Sequence, residues 1–387
     1  MTTPLHIGFI PLVDAAALIV AVDKGFCAEE GLDVALVREV SWSNVRDKLN
    51  IGLFDAAHLL APVAIASSLG LGHVKVPIAA PFNLGINGNA ITVSPTLHEA
   101  IMAEIDSDRF DPLVTARALA RVVAKRRKAG AETLTFGMTF PFSTHNYQLR
   151  FWMAAGGVDP DEDVHLVVLP PPYMVDSISN GHVDAFCVGA PWNSIAVDRG
   201  VGHILHFVSD ILVRAAEKVL AIRQSWAEKN PAVVAALVRA NARAAEFIEE
   251  PANRAEAARI LAQPERIGVD AEVIQRTLDG RLKVSPDGAI RESARYLLVG
   301  REAATRPDPV QAAWLYAQMA RWGQTAVSTE ALRTAMAVFR PDLYDAALGK
   351  PGDAVAPPAI GAFAGPAFDP ADIEGYLASF GIPRRSR

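Results

Sequence analysis

The hydrophobic and polar positions of the first 220 or so residues alternate between strand-like and helix-like runs. The opening unit is a predicted strand at residues 5–12 (LHIGFIPL), a helix at residues 15–24 and a strand at residues 32–39. Asp14 is expected to cap that helix, Gly25 to end it, and Ser43 to cap a short helix that follows. Such alternation is typical of βαβ units with parallel strands.

The pattern continues through the middle of the chain and then changes. Two extended runs are joined by NLGING, which its Gly and Asn residues should make flexible. Further strands are predicted at residues 134–140, 163–170, 183–189, 202–208 and 218–224, with helices between most of them. After residue 230 the apolar spacing becomes helical at residues 231–250, 254–262, 309–322 and 329–339. The tail from Gly349 to Pro370, rich in Gly, Pro and Ala, is expected to wrap the surface without forming a core.

This order of elements predicts an α/β protein of two lobes in which the chain crosses between lobes and returns. We expect residues 1–93 to form the first lobe and residues 94–213 the second. Residues 214–387 should return to the first lobe as a mostly helical part with a tail. The crossings are predicted near residues 91–95 and 209–218. A ligand would lie in the cleft, where strand ends and helix N-termini converge.

Composition narrows the class of protein. Of 387 residues, 51% are apolar and 21% charged, which is typical of a globular chain. The net charge of -6 argues against direct binding of nucleic acid or an anionic membrane. Two distant cysteines indicate neither a disulfide scaffold nor a thiolate metal site. A strand follows Met1 almost at once, without the pattern of a secretory signal, so a soluble, cytoplasmic protein without a membrane span is expected.

One strand-to-helix junction is suited to an anion. In FPFSTHNYQLRFWMAAGG, Ser143 and Thr144 can cap a helix whose first turn carries His145. Free backbone N–H groups, the positive end of the helix and an imidazole would then face one space, and no metal would be needed. The alternative is simply a capped helix with a half-buried histidine.

A second junction, DAFCVGAPWNS, has Gly189 for close backbone approach and Pro191 for a first helical turn, or it is only a tight turn. Trp42 is either a wall over a planar ligand or part of the core. Lys218 is either a counter-charge for an anion or a solvated lysine. Asn89 offers a donor and an acceptor.

Enzyme signatures are missing from the sequence. It contains no G-x-G-x-x-G after the first strand, no P-loop and no G-x-S-x-G. Cys187 lies inside an apolar strand, where a core role is expected rather than a nucleophilic one. Clustered carboxylates for acid–base work are not visible. The chain therefore reads as a binding protein that needs no cofactor.

Ordered segments of the chain resemble one family. They include IPLVDAAALIVAVDKGF, SWSNVRDKL, FDAAHLLAPV, NGNAITVS, DAFCVGAPWN and EKVLAI, together with the long run THNYQLRFWMAAGGVDPDEDVHLVVLPPPYMV. Over residues 5 to about 280 the chain is similar to the nitrate- and bicarbonate-binding proteins of ABC transporters (the NrtA/CmpA type). The resemblance implies the two-lobed, type II periplasmic-binding-protein fold with one oxyanion in the cleft.

The resemblance also implies ligand-binding residues. In the family a planar anion is held by a tryptophan, an amide, a histidine, a lysine and backbone groups of a turn. The matching positions here are Trp42, Asn89, His145 and Lys218, with Gly189 and Ala190 at the turn. Asn89 stands where the transporter proteins show Gln, which shortens the reach of the amide. Ala190 stands where they usually show Glu, which removes a carboxylate and should favour anions.

The expected absence of an export signal selects a function within the family. The chain then resembles the cytoplasmic nitrate/nitrite sensor (NasS type), which holds an RNA-binding ANTAR antiterminator inactive until nitrate or nitrite binds. This is the leading hypothesis, with the partner rather than this chain touching RNA. One alternative is the substrate-binding subunit of a nitrate or related oxyanion ABC transporter, working with a permease. The other is an enzyme like the thiamine-pyrimidine synthases, whose cysteine-rich motif is missing here.

Overall fold

The computed structural model describes residues 4–105, 107–349 and 359–382. The strands within them are β1 (Leu5–Phe9), β2 (Val34–Arg38), β3 (Ala56–Leu60), β4 (Ile78–Asn87), β5 (Asn89–Val93), β6 (Thr135–Met138), β7 (His165–Val168), β8 (Ala185–Gly189), β9 (His203–Phe207), β10 (Ala216–Arg223), β11 (Arg281–Lys283), β12 (Ile290–Glu292) and β13 (Leu297–Leu298).

The α-helices are α1 (Ala16–Asp23), α2 (Phe26–Glu29), α3 (Trp42–Asn50), α4 (Ala61–Leu69), α5 (Pro95–Met102), α6 (Pro112–Lys128), α7 (Thr144–Ala155), α8 (Met174–Ser179), α9 (Trp192–Asp198), α10 (Val208–Ile211), α11 (Gln224–Lys229), α12 (Pro231–Glu249), α13 (Arg254–Leu261), α14 (Ala271–Leu278), α15 (Pro309–Arg321), α16 (Thr329–Val338), α17 (Pro341–Leu348) and α18 (Ile373–Ala378). Short 3₁₀ turns occur at Val13–Ala15, Pro171–Tyr173 and Pro251–Asn253. None of the helices in the described ranges is both long and apolar enough to cross a bilayer.

Two mixed sheets organise the molecule. The larger has the strand order β13-β4-β10-β3-β1-β2, and the smaller has the order β7-β6-β8-β5-β9. β1 runs parallel to β2 and β3, whereas β10 runs antiparallel to β3 and β4. Strands such as β3, β4 and β10 are buried along nearly their whole length, which explains why most of their residues are apolar. The predicted α/β class with a helical C-terminal part is confirmed.

The first passage between the sheets lies earlier than predicted. β4 ends at Asn87 in the large sheet, and β5 starts at Asn89 in the small one, so the chain crosses at Gly88 and not at residues 91–95. Gly88 has a φ of 90°, a conformation that glycine adopts without strain. The predicted limit of the first lobe at residue 93 is therefore wrong. The chain comes back to the larger sheet between Phe207 and Ala216, an interval that overlaps the predicted region of residues 209–218.

The stretch NLGING is not a flexible connection, because most of it belongs to β4. The Asn83 amide donates to the backbone of Ala304 at 3.1 Å. The Asn87 amide donates to the carbonyls of Val213 and Arg295, both at 3.0 Å. These buried amides find backbone partners that are distant in sequence, so the polar residues remain compatible with a central strand.

The C-terminal part packs on helices beside the larger sheet, and it also contacts the smaller sheet, where Ile204 N–H of β9 donates to the Val284 carbonyl at 2.9 Å. α12 packs on α1, and α15 and α16 pack on α4. Arg276 and Lys283 form ion pairs with Asp198 of α9, at 2.5 and 3.5 Å. These two ion pairs join segments that are far apart in sequence, and they add to the packing contacts that hold the C-terminal part in place.

The tail was expected to wrap the surface, and residues 350–358 of it lie outside the described part. Residues 360–363 pair with residues 211–214, where Val213 N–H donates to the Gly361 carbonyl at 2.9 Å. Ile360 is 7% exposed, and the Phe363 ring meets Phe151 of α7 edge-on. Ile360 therefore joins the core, contrary to the prediction, whereas residues 365–367 and 369 are exposed at the surface. The pairing of residues 360–363 supports the segment through which the chain returns.

Candidate functional site

A cluster of buried polar side chains lies where the two sheets meet. We call it the central cluster, and its members are Asp14, Trp42, His58, Asn89, His145, Gln148, Glu217 and Lys218. None is more than 3% exposed. They come from the turn before α1, the first turn of α3, the first two turns of α7, and the strands β3, β5 and β10. A buried polar group is costly unless it is paired, so such a group of residues needs a physical reason.

The Lys218 ammonium is at the centre of the cluster. Its Nζ lies 2.8 Å from Asp14 Oδ2 and 2.9 Å from Glu217 Oε2, and 5.4 Å from the centre of the Trp42 ring. The other Asp14 oxygen contacts His58 Nε2 at 2.9 Å. One cation is thus shared by two buried carboxylates.

Burial affects the two carboxylates differently. It opposes ionisation of Asp14, but Lys218 and then His58 outweigh it and hold the Asp14 pKa far below its usual range. For Glu217, burial dominates, and Lys218 compensates only in part, so the pKa is raised. The Lys218 pKa is raised because its two carboxylate neighbours outweigh the effect of burial. The ion pair between Asp14 and Lys218 is therefore the most strongly favoured charged interaction of the cluster.

A strand irregularity brings Glu217 and Lys218 together. Successive side chains of a regular strand point to opposite faces. The pairing of β10 with β4 shifts register between Ala216 and Lys218 and again between Lys218 and Val219. Such bulges bend a strand and redirect its side chains. This accounts for adjacent residues that are both fully buried in one site.

The N-terminus of α7 carries the imidazole. Ser143 is the N-cap, as predicted, and its hydroxyl accepts from Asn146 N–H at 3.1 Å. His145 Nδ1 lies 3.1 Å from the Thr139 hydroxyl, and Nε2 lies 3.7 Å from Glu217 Oε2. Burial, followed by Lys218, holds the His145 pKa well below its ordinary value, so the ring is neutral at pH 7. A Thr139 hydroxyl that donates to Nδ1 leaves the ring proton on Nε2.

Three nitrogens of the cluster lack partners. Trp42 Nε1, His145 Nε2 and Gln148 Nε2 are buried, and none has a hydrogen-bond partner within the described part of the chain. The indole and amide nitrogens are donors only, and the imidazole nitrogen is one in the tautomer above. Since buried polar groups are nearly always satisfied, these three indicate a place for an acceptor.

The structure brings Trp42, Asn89, His145 and Lys218 into this cluster, and Gly189 borders it. Asn89 Nδ2 donates to Gln148 Oε1 at 3.2 Å. A Cβ on Gly189 would lie 3.3 Å from both Asn89 Oδ1 and Asp14 Oδ2. Their roles in binding a ligand stay predictions.

The backbone of the predicted turn is less free than expected. Ala190 N–H donates to the Gly88 carbonyl at 3.0 Å, and Ala190 C=O accepts from Val13 N–H at 2.8 Å. The Ala190–Pro191 peptide is cis, and α9 begins at Trp192, after Pro191. Both backbone groups of Ala190 therefore hold the two sheets together before any ligand is considered.

Two capping predictions are wrong. Asp14 makes no capping hydrogen bond to α1, because its carboxylate binds Lys218 and His58 instead. Ser41 rather than Ser43 caps α3, with its hydroxyl accepting from Asn44 N–H at 3.3 Å.

The sequence prediction missed His58, Gln148, Glu217 and the role of Asp14. Consequently the site contains two buried carboxylates that the sequence analysis did not place there. Signals for some of these existed: Asp14 interrupts an apolar run, Glu217 adjoins Lys218 in a buried strand, and Gln148 lies one turn beyond His145 in α7. Nothing in the sequence distinguished His58 from an ordinary strand residue.

Other chemistry has little support. The Cys187 thiol is buried 3.9 Å from Gln148 Oε1, and burial raises its pKa well above the ordinary value, which does not suit a nucleophile. In the described ranges, no group of three or more His, Cys, Asp or Glu side chains is placed to hold a metal ion. The unpartnered donors of the central cluster are of the kind that suits a small polar ligand with hydrogen-bond acceptors.

Comparison with known proteins gives consistent matches. The model of the NMT1-like family matches residues 1–262. The nitrate/nitrite binding protein NrtA of Synechococcus elongatus is 32% identical over 385 residues, covering 96% of this chain and 84% of that protein. The nitrate import ATP-binding protein NrtC of a Synechocystis species is 34% identical over 388 residues. That match covers 98% of this chain but 55% of NrtC, so the chain spans about half of that relative.

Solved structures agree. The crystal structure of the periplasmic nitrate-binding protein NrtA from Synechocystis PCC 6803 superposes with a TM-score of 0.89 at 28% identity, covering 98% of this chain and 99% of the other. The alkanesulfonate-binding protein SsuA from Xanthomonas axonopodis pv. citri has a TM-score of 0.54 at 17% identity, covering 82% and 93%. The second likeness concerns the fold alone.

Proposed function

The chain belongs to the NMT1-like family, and from that premise we propose that it is a solute-binding protein that holds one nitrate or nitrite ion in the central cluster. NrtA relatives similar over most of both chains are named nitrate/nitrite binding proteins. Because these relatives are named as binding proteins, a non-enzymatic role is part of the proposal.

One observation carries this proposal: three buried donors of one polar cluster, Trp42 Nε1, His145 Nε2 and Gln148 Nε2, have no hydrogen-bond partner among the described residues. The Trp42 ring lies 5.4 Å from the Lys218 ammonium, and His145 and Lys218 both contact Glu217. Gln148 joins the cluster through its hydrogen bond with Asn89. Nitrate and nitrite are small anions whose oxygens accept hydrogen bonds and donate none. An ion between these groups would satisfy donors that otherwise cost free energy, about 1 to 3 kcal/mol for each unsatisfied group. Hydrogen bonds to a charged acceptor are also the stronger ones.

Calorimetric titration tests the proposal directly. Nitrate and nitrite should each bind with a stoichiometry of one, whereas chloride serves as a comparison anion of different shape. His145→Ala should weaken binding by about 1 to 3 kcal/mol, the scale for a lost hydrogen bond to a charged ligand. His98→Ala is the matched control, because His98 stacks on His203 outside the cluster. Wild-type protein that binds neither nitrate nor nitrite would refute the assignment.

The cellular role of this binding has two candidates. The names of the relatives, NrtA among the binding proteins and NrtC among the import ATP-binding proteins, support a substrate-binding subunit of an oxyanion importer. The sensor hypothesis keeps the same ligand and adds a cytoplasmic location and a sequestered ANTAR-type antiterminator. In both, anion binding would favour one arrangement of the two sheets.

A pull-down from native lysate with and without nitrate separates the roles. Release of a small RNA-binding protein by nitrate would support the sensor. Recovery of a permease and an ATPase would support the importer.

A further inference from the structure

Glu217 is a second carboxylate on a cation that already has a partner. Its Oε2 contacts Lys218 Nζ at 2.9 Å, while Oε1 is buried and has no hydrogen-bond partner among the described residues. Resting on the proposed function, we propose that Glu217 takes up one proton from solvent when the anion binds. The proton ends on a Glu217 carboxyl oxygen, and the anion takes the place of that carboxylate as the second negative partner of Lys218.

The charges of the cluster require this coupling. Asp14 and Lys218 cancel each other. Burial raises the pKa of Cys187 and of Tyr296, which keeps both groups neutral at pH 7. An ionised Glu217 therefore leaves the cluster with one excess negative charge, and an added anion would make it two. Two like charges close together in a buried site disfavour each other strongly, so one of them is neutralised by a proton.

Glu217 is the group placed to accept that proton. The titratable groups that face it or its partners are Lys218 from β10, His145 from α7, Asp14 from the turn before α1, His58 from β3, Cys187 from β8 and Tyr296, with the Asn89 amide alongside. His145 is the competitor, but burial and then Lys218 disfavour its cationic form and lower its pKa. Asp14 is held ionised by Lys218 and His58. Glu217 is the carboxylate that burial already biases towards the neutral acid.

Proton uptake by Glu217 sets the direction in which the affinity for nitrate changes with pH. Below the pKa of Glu217 in the free protein, the group is already protonated and binding takes up no proton. Above it, each bound anion brings one proton, and the dissociation constant rises about tenfold per pH unit until the pKa in the complex is reached. Affinity for nitrate therefore falls as the pH rises.

Calorimetry of the wild-type protein with nitrate from about pH 5 to pH 9, in buffers of different ionisation enthalpy, measures the number of protons taken up. Glu217→Gln mimics the neutral acid and cannot take up the proton, so its nitrate affinity should be nearly independent of pH and exceed that of the wild type at about pH 9. Glu104→Gln is the control. Glu104 is also a largely buried carboxylate, paired with Arg121 and Lys125 outside the cluster.

We expect nitrate binding to take up close to one proton in the wild type and in Glu104→Gln. This uptake should be lost in Glu217→Gln. Nitrate binding without proton uptake anywhere in this range would overturn the inference and leave the proposed function intact. Uptake that persists in Glu217→Gln would also overturn it, since the proton would then go to another group. An absence of nitrate and nitrite binding at every pH would overturn the proposed function and this inference together.

Discussion

Replacing Lys218 with methionine tests whether the central cluster depends on one buried cation. Lys218→Met keeps an unbranched side chain of similar length and removes the ammonium. Asp14 and Glu217, at 2.8 and 2.9 Å from Nζ, then lose their shared partner. Asp14 still has His58 as a partner at 2.9 Å, whereas Glu217 can become neutral. The two carboxylates are therefore affected differently by the loss of the ammonium.

The expected destabilisation is large. At an effective dielectric constant of about 20, the pair at 2.8 Å is attracted by about 6 kcal/mol, before the desolvation of both ions is subtracted. Removing one partner of a buried pair usually costs about 3 to 5 kcal/mol, because an uncompensated charge remains. We expect Lys218→Met to lower the free energy of unfolding by that amount at neutral pH.

The destabilisation caused by Lys218→Met should also change with pH, and the structure predicts in which direction. In the wild type the Asp14 pKa is lowered, so this group stabilises the fold above its unfolded pKa and loses that contribution on acidification. In the variant the pKa values of both carboxylates should rise above their unfolded values, and such groups destabilise the fold as the pH increases. The difference between wild type and variant should therefore be greater at about pH 8 than at about pH 5.

Urea unfolding followed by circular dichroism at both pH values measures the difference. Lys24→Met is the matched control: Lys24 pairs with Glu256 at 2.6 Å, but its side chain is 29% exposed, and surface pairs contribute about 0 to 1 kcal/mol. Glu217→Gln combined with Lys218→Met should recover part of the loss, since one orphaned carboxylate is removed. If Lys218→Met costs no more than Lys24→Met at either pH, the role assigned to the buried cation is wrong.

Three further predictions concern other parts of the structure. Trp42→Phe removes the unpartnered indole donor and should weaken nitrate binding in calorimetry by about 1.5 to 3 kcal/mol; unchanged affinity would remove Trp42 from the site. Gly156→Ala should lower the unfolding midpoint, by about 1 to 3 kcal/mol in stability, because the new Cβ would meet the backbone of α6, whereas Gly381→Ala has open space and should change little. Native protein should react slowly with a thiol reagent at about pH 8, since burial raises the pKa of Cys27 to about 12 and that of Cys187 well above its ordinary range; rapid labelling before denaturation would contradict this.

Local patterns in the sequence are sufficient for much of the architecture. The apolar runs of β3 and β10 predict strands because those segments are buried on both sides. The serine before α7 predicts the helix start correctly, since a cap needs only a hydroxyl and an N–H three residues apart. The family was identifiable because many such segments keep their order along the chain. Trp42, Asn89, His145 and Lys218 were predicted as site residues through that resemblance.

The tertiary structure alone decides the charge of the site. In the sequence, Asp14 has the features of a helix cap. It becomes an ion-pair partner only because Lys218, 204 positions further along the chain, lies next to it in the folded protein. Alternation along a strand separates Glu217 from Lys218, and the register shift between β10 and β4 brings them together. Pairings across the sheets depend on long-range geometry that no local pattern encodes. The sequence by itself therefore determined which elements form and which family they indicate, while the packing of the two sheets determined which buried groups share the Lys218 cation.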